Sequence, residues 1–289
     1  MYLTFRKIAL TGSIAGLLIL IGILIYSYNT AVYTGSIDSR CFRAGLVGSI
    51  DVLDPALVTQ QEEKLIGSTL YEGLVYFDEK SGDIKPLLAK SWKYSKDGKT
   101  LTIKLKKEVK FHNNQPVTAQ KIKEAWERSF SSAKDWSAIN LFLSIKGVTE
   151  RLNGSQGPIG IEAIDDSTLK ISFAKPNSAF PYMLTNPIFW VYDVKQETEA
   201  PYSGTGPFTL INNEDNKKIL LTRNTNYHRG TPNLSAIEFS IFEDGKTAWD
   251  SYIKGELDYL DTVPLAEIKN IKADQKLNSL FIERPLLEI

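Results

Sequence analysis

Cysteine and histidine are almost missing from this chain: Cys41, His112 and His228 are all it has in 289 residues. A single cysteine excludes an intrachain disulfide. Three such donors, scattered along the sequence, leave no Cys/His zinc cluster and no HExxH helix. A GxSxG elbow is absent as well, which removes the usual sequence mark of a serine hydrolase. There is no excess of one charge either, since 34 basic and 34 acidic residues cancel. That balance lacks the electrostatic footprint of a nucleic-acid binder, and no basic stripe interleaved with aromatics supplies one. The lysines of LKKEVK and DNKKIL read as solvated faces of strands. Gly204-Thr205-Gly206-Pro207 has the look of a phosphate loop but no following lysine. It runs into Phe208-Thr209-Leu210, a strand pattern rather than a helix start, so it reads as a tight turn. No metal, no cofactor and no enzymatic activity are expected.

What the chain does have is a core. Hydrophobic residues make up 43% of it, enough for one large or two medium domains. The N-terminus is a separate element. Arg6 and Lys7 precede an uncharged run over 8–26 that spans about 28 Å as a helix, close to the hydrocarbon thickness of a bilayer. It is expected to be a transmembrane helix over 8–27, preceded by a cytoplasmic tail over 1–7. The alternative is a secretory signal peptide, which asks for a shorter apolar run and a small-x-small cleavage site, and Thr34-Gly35-Ser36 is only a poor one. Either way the flanking positive charges place the remainder outside the cytoplasm. Residues 28–41 read as a polar tether.

The most specific stretch lies between Pro86 and Phe130. Leu101, Ile103 and Leu105 alternate with Thr102, Lys104 and Lys106, which predicts a strand with one apolar face. Asp97-Gly98 supplies the hairpin turn before it. Thr118 is placed to cap a helix whose apolar residues Ile122, Ala125, Trp126 and Phe130 recur at three- and four-residue spacing. Further on, Ile237, Phe239 and Ile241 predict another strand. Ala248, Trp249, Tyr252 and Ile253 predict a helix ended by Gly255.

The run AKSW, DGKTLTIKL, EVKFHNNQPVTAQKI, EAW resembles the signature of the family 5 extracytoplasmic solute-binding proteins of peptide ABC importers. Further landmarks keep the family's order: SIDVLDPA, YEGLVYFD, IEAIDDSTLKISFAKP, GTGPFTL, LTRNTNYHRGTPNL and KGELDYL. The resemblance covers roughly residues 42–289. Two departures stand out. Asn113-Asn114 replaces the usual Asp-Gly, and Gln120-Lys121 replaces an acidic pair; both are expected at surface positions. Many relatives are lipoproteins, but Asp38-Ser39-Arg40 before Cys41 is no lipobox.

The resemblance implies an α/β fold of the periplasmic-binding-protein-like type II, cluster C, kind with a mixed sheet, subdivided into a β-rich first part and a second part from AIDDSTLKISF to KGELDYL. It implies that 42–289 is the N-terminal lobe of a two-lobed clamshell whose second lobe is missing. A lobe alone is expected to bind weakly, near millimolar. The implied partners are extended peptides, held by backbone pairing as an added strand, and ABC permease subunits, with membrane attachment through the N-terminal helix. The implied place is the extracytoplasmic side of the cell envelope. Thr59, Gln60 and Gln61, just after LDP, are candidate ligand contacts, and so is Trp136 beyond the capped helix. Trp190 and Tyr192, in NPIFWVYDV near the expected cleft, are weaker candidates. A solvated loop is the alternative for Gln60 and Gln61, and a core position for Trp136. Members of this fold also take nickel, heme or oligosaccharides. A second reading of the whole chain is a membrane-tethered sensory or interaction module that reuses the lobe as a scaffold.

Overall fold

The computed structural model describes residues 41–194, 203–215 and 217–282. The chain divides into two units, 1–41 and 42–289, and only Cys41 of the first is described. The expected membrane helix over 8–27 and most of the tether therefore lie outside the described residues. Among the described residues no helix is long and apolar enough to cross a membrane.

The strands form three sheets. Strands β4 (Ala89–Tyr94), β5 (Thr100–Leu105), β6 (Ile161–Asp165) and β7 (Thr168–Ser172) build an antiparallel sheet in the order β4-β5-β7-β6. Strands β2 (Val75–Asp78) and β3 (Asp83–Pro86) are a hairpin. The third sheet has the order β11-β1-β10-β9-β8, from β1 (Cys41–Val47), β8 (Phe208–Glu214), β9 (Lys218–Arg223), β10 (Ala236–Phe242) and β11 (Tyr259–Leu260). It is mixed: β1 and β11 run parallel, with Ala44 opposite Tyr259, while β8, β9 and β10 are antiparallel neighbours. The α/β class and the mixed sheet are thus as expected.

The antiparallel sheet follows directly from its side chains. Leu101, Ile103 and Leu105 are buried, whereas Lys104 between them is exposed, so the period-two pattern sets the face. The turn at 95–99 closes as expected, with Ser95 N–H donating to the Thr100 carbonyl at 2.9 Å. Thr118 caps the following helix by accepting from Lys121 N–H at 3.3 Å. Ile122, Ala125 and Trp126 are completely buried and Phe130 is 2% exposed, and the helix lays this face on β6 and β7. Each such large apolar side chain contributes about 1.5–3 kcal/mol on leaving water. Around Trp126 the rings of Phe130, Phe142, Phe180 and Phe189 complete a first apolar cluster. A second cluster belongs to the mixed sheet and holds Leu46, Ile66, Tyr71, Tyr192, Ile219, Leu221 and Phe239.

One surface expectation fails. Lys121 is not a solvated helix-start residue: its side chain is 15% exposed and its Nζ lies 2.7 Å from a carboxylate oxygen of Asp193, itself 3% exposed. The other departure reaches the same group, because Asn113 Nδ2 donates to Asp193 Oδ2 at 3.2 Å. The acidic residues usual at these two positions would crowd a buried carboxylate with like charge, so the basic and amide side chains here match Asp193.

Candidate functional site

The region around the first candidate contacts is built on one carboxylate. Helix α1 (Gln61–Leu70) presents Glu63, 1% exposed, to the loop that precedes it. Its Oε1 accepts the N–H groups of Asp51 and Val52, both at 3.1 Å, and its Oε2 those of Thr59 at 2.8 Å and Gln60 at 3.0 Å. A single anion thereby satisfies donors at both ends of a ten-residue excursion and draws the loop shut. Ile50, Leu53 and Ala56 turn inward. Asp54 fixes the middle: its Oδ1 accepts Ala56 N–H at 3.0 Å, and its carboxylate is gripped by both terminal nitrogens of Arg128, Nη1 at 2.8 Å. Arg128 comes from helix α2 (Ala119–Ser132), so the loop is tied to the helix of the first cluster.

Just beyond α2 a short helix α3 (Trp136–Asn140) begins at the cap Asp135. Both carboxylate oxygens of Asp135 accept from the Ser137 hydroxyl, at 2.8 and 2.7 Å, and Oδ1 also takes Ser137 N–H at 2.8 Å. These bonds, the hydroxyl's first, hold its carboxyl below the usual range. Between loop 55–59, the 133–138 junction and a 3₁₀ turn (Pro187–Phe189) lies a groove of about 80 Å³, lined also by Lys64 and Asn186. It is small beside the ~300–1,000 Å³ of a pocket that encloses a drug-sized ligand. It fits a side chain, with the remainder of a ligand outside. A wider hollow of about 670 Å³ at 273–276 and 279 is an open corner, where Asp274 spends Oδ1 capping the next helix.

The expected contacts divide in two. Thr59 lines the groove, and Gln60 and Gln61 follow it, exposed, at the start of α1. Trp136 stands between two lining residues, Asp135 and Ser137, with 63% of its surface exposed, so the core alternative does not describe it. Trp190 and Tyr192 do not join them. Trp190 is 7% exposed, stacks on Tyr71 at 5.6 Å, and covers Gly67 so closely that a Cβ there would lie 2.4 Å from the indole. Tyr192 is fully buried; its hydroxyl donates to the Ala125 carbonyl at 3.0 Å and accepts from Arg128 at 3.2 Å. Both rings are core residues: the start of NPIFWVY, Asn186 to Ile188, lines the groove, and the chain then turns inward, setting Trp190 against Gly67 of α1 and Tyr192 against Ala125 and Arg128 of α2. Sequence reasoning also missed Glu63. Its signal was the Gln60-x-x-Glu63 spacing, the returning half of a capping box.

The two histidines, distant in sequence, meet at the 204–206 turn. His112 N–H donates to the Gly204 carbonyl at 2.8 Å, and its Nε2 lies 3.0 Å from the Gly206 carbonyl, which makes Nε2 the protonated nitrogen. Burial pushes the His112 imidazole pKa down. His228 Nε2 lies 2.8 Å from Glu72, which also accepts from Thr205 at 3.0 Å and Tyr227 at 2.7 Å. The turn packs so tightly that a Cβ on Gly204 would lie 2.1 Å from the Leu70 carbonyl oxygen. This is structural chemistry: both imidazole Nε2 atoms, the Glu72 carboxylate and the Thr205 and Tyr227 hydroxyls point at other parts of the chain.

The sequence profile described as bacterial extracellular solute-binding proteins, family 5 middle, matches residues 83–288. The chain belongs to this family. Family 5 relatives include a dipeptide-binding protein of Bacillus subtilis (strain 168), 28% identical over 203 residues, a match that takes in 66% of this chain and 37% of that protein. The murein tripeptide-binding protein of Escherichia coli superposes with a TM-score of 0.74 at 27% identity, covering 81% of this chain and 48% of that one. A nickel ABC transporter structure from Bacillus halodurans gives 0.68 at 29% identity, covering 82% and 46%. The chain spans half or less of the length of these three family 5 relatives. The family is one of bacterial extracellular solute-binding proteins.

Proposed function

We propose that this chain supplies one binding face of an extracytoplasmic solute-binding protein that captures extended peptides and passes them to the permease of an ABC importer. The carrying observation is Trp136: an indole 63% exposed, carried between Asp135 and Ser137, two residues that line a groove whose other wall is the loop held shut by Glu63. An indole supplies a large, rigid, amphipathic face against which a ligand can pack. Exposed Gln60 and Gln61 add side-chain amides that can meet a peptide main chain whatever its side chains are. The names of relatives point to peptides, to nickel and to haem. Peptide is favoured because both histidines of this chain are engaged in buried hydrogen bonds away from the groove.

Isothermal titration of the full 289-residue chain with mixed tri- to pentapeptides tests this. Saturable heat, reduced at least tenfold in apparent affinity by Trp136→Ala, is the expected result. Heat with nickel–histidine complexes or haem and none with any peptide would overturn the peptide assignment.

A further inference from the structure

Resting on the peptide reading, we infer that the groove beside Trp136 is a subsite for a carboxylate of the ligand, and that Lys64 is the residue that selects it. Lys64 lines the groove from the first turn of α1. Its backbone is fixed there, with its N–H on the Gln60 carbonyl at 3.1 Å and the adjacent Glu63 locked into the loop. The groove contains three charged residues, Lys64, Lys134 and Asp135. The one acid among them, Asp135, accepts the N–H and the hydroxyl of Ser137 in capping its own helix. Neither lysine has a carboxylate within ion-pairing distance among the described residues. The Asp135 carboxyl feels the charge of Lys64, so the lining holds two lysines to one acid, an excess of one positive charge.

The neutral groups agree in polarity. Asn186 spends its side-chain oxygen on Ile188 N–H at 3.1 Å, which leaves its amide N–H groups as donors, and the Thr59 hydroxyl stands on the same wall. A carboxylate accepts from all of these, whereas an ammonium or guanidinium would find one occupied acid and two lysines. The size of about 80 Å³ admits an acid-tipped side chain or a chain terminus and leaves the ligand backbone outside, against Trp136. Charge chemistry and volume thus select the same group.

The test compares binding of the full chain to tripeptides carrying Glu or Gln at each position in turn, each as the free acid and as the C-terminal amide. At one position Glu is expected to bind about tenfold more tightly than Gln, the size of one charge-assisted contact. If amidation rather than the Glu-to-Gln exchange costs the tenfold, the carboxylate is the ligand's own terminus. Lys64→Gln should erase the preference and Lys64→Arg should keep it. Circular dichroism of both variants separates this from a folding defect. Peptides that bind with no charge preference, or a preference that survives Lys64→Gln, would overturn the subsite while leaving peptide binding intact. No binding by any tripeptide would remove the peptide reading itself and the subsite with it.

Discussion

The two halves of the described fold are held together in different ways. The antiparallel sheet with α2 is an apolar layer in which two of the three strand pairs join neighbours in sequence: β4 meets β5 across a five-residue turn, and β6 meets β7 across two residues. The mixed sheet and its loops are stitched by polar contacts that reach across the chain. Glu72 joins His228 from 156 positions away, and Arg43 joins Asp258 from 215. One half is specified by repetition and the other by appointments between single residues. The first should lose stability in proportion to volume removed. The second should fail at particular atoms, whatever their size.

The largest effect should come from the apolar side. Trp126→Ala empties a fully buried site and removes the indole's hydrogen bond to the Phe189 carbonyl, at 3.0 Å, so a loss of about 3–5 kcal/mol in urea unfolding is expected. Trp126→Phe should lose less, which would show that volume is the main term. Glu63→Ala removes far less volume yet should cost about 3 kcal/mol, because four backbone donors lose their acceptor together. Limited proteolysis should then cut within 50–60; a loss below about 1 kcal/mol would erase the distinction between the two halves. Lys121→Asp, which restores the usual family charge, should cost about 2 kcal/mol by placing a second anion against Asp193, and Asp193→Asn in the same chain should recover most of it. If the double variant is no better than the single, the pair is not coupled.

The smallest effect is with pH. Burial lowers the folded pKa of His112, although its bond to Gly206 and the charge of Glu72 oppose this. The folded state therefore binds fewer protons than the unfolded one. Stability from this group is complete above the ordinary imidazole value of about 6.5 and is lost as the pH falls from there through the lowered folded value. His112→Gln should flatten that part of the stability profile. An unchanged slope would assign the acid sensitivity elsewhere.

The same contrast decides what could be read in advance. Leu101, Ile103 and Leu105, the Thr118 cap and the buried face of α2 were legible because periodicity and capping are local rules, and each residue carries its own instruction. Thr59 and Trp136 were singled out only by the resemblance; Thr59 lines the groove, and Trp136 is exposed between two lining residues, Asp135 and Ser137. Glu63 and Glu72 were not legible as organisers, since a carboxylate in a sequence does not say which distant N–H or imidazole it will meet. Lys121 was read as solvated for the same reason: its partner, Asp193, sits 72 positions away. Trp190 and Tyr192 went the other way, because an aromatic pair after a turn fits a cleft or a core equally until Gly67 is seen beneath the indole.

The exposed indole of Trp136 also gives the molecule an optical handle. Of the chain's five tryptophans, Trp126, Trp190 and Trp249 are at most 8% exposed and Trp92 is half-buried, whereas Trp136 is 63% exposed. Collisional quenchers such as iodide should therefore extinguish one emitter preferentially, at the red edge of the spectrum. A ligand packed against Trp136, as proposed, would shield that emitter, so its binding would be read as light from a single side chain, without a label.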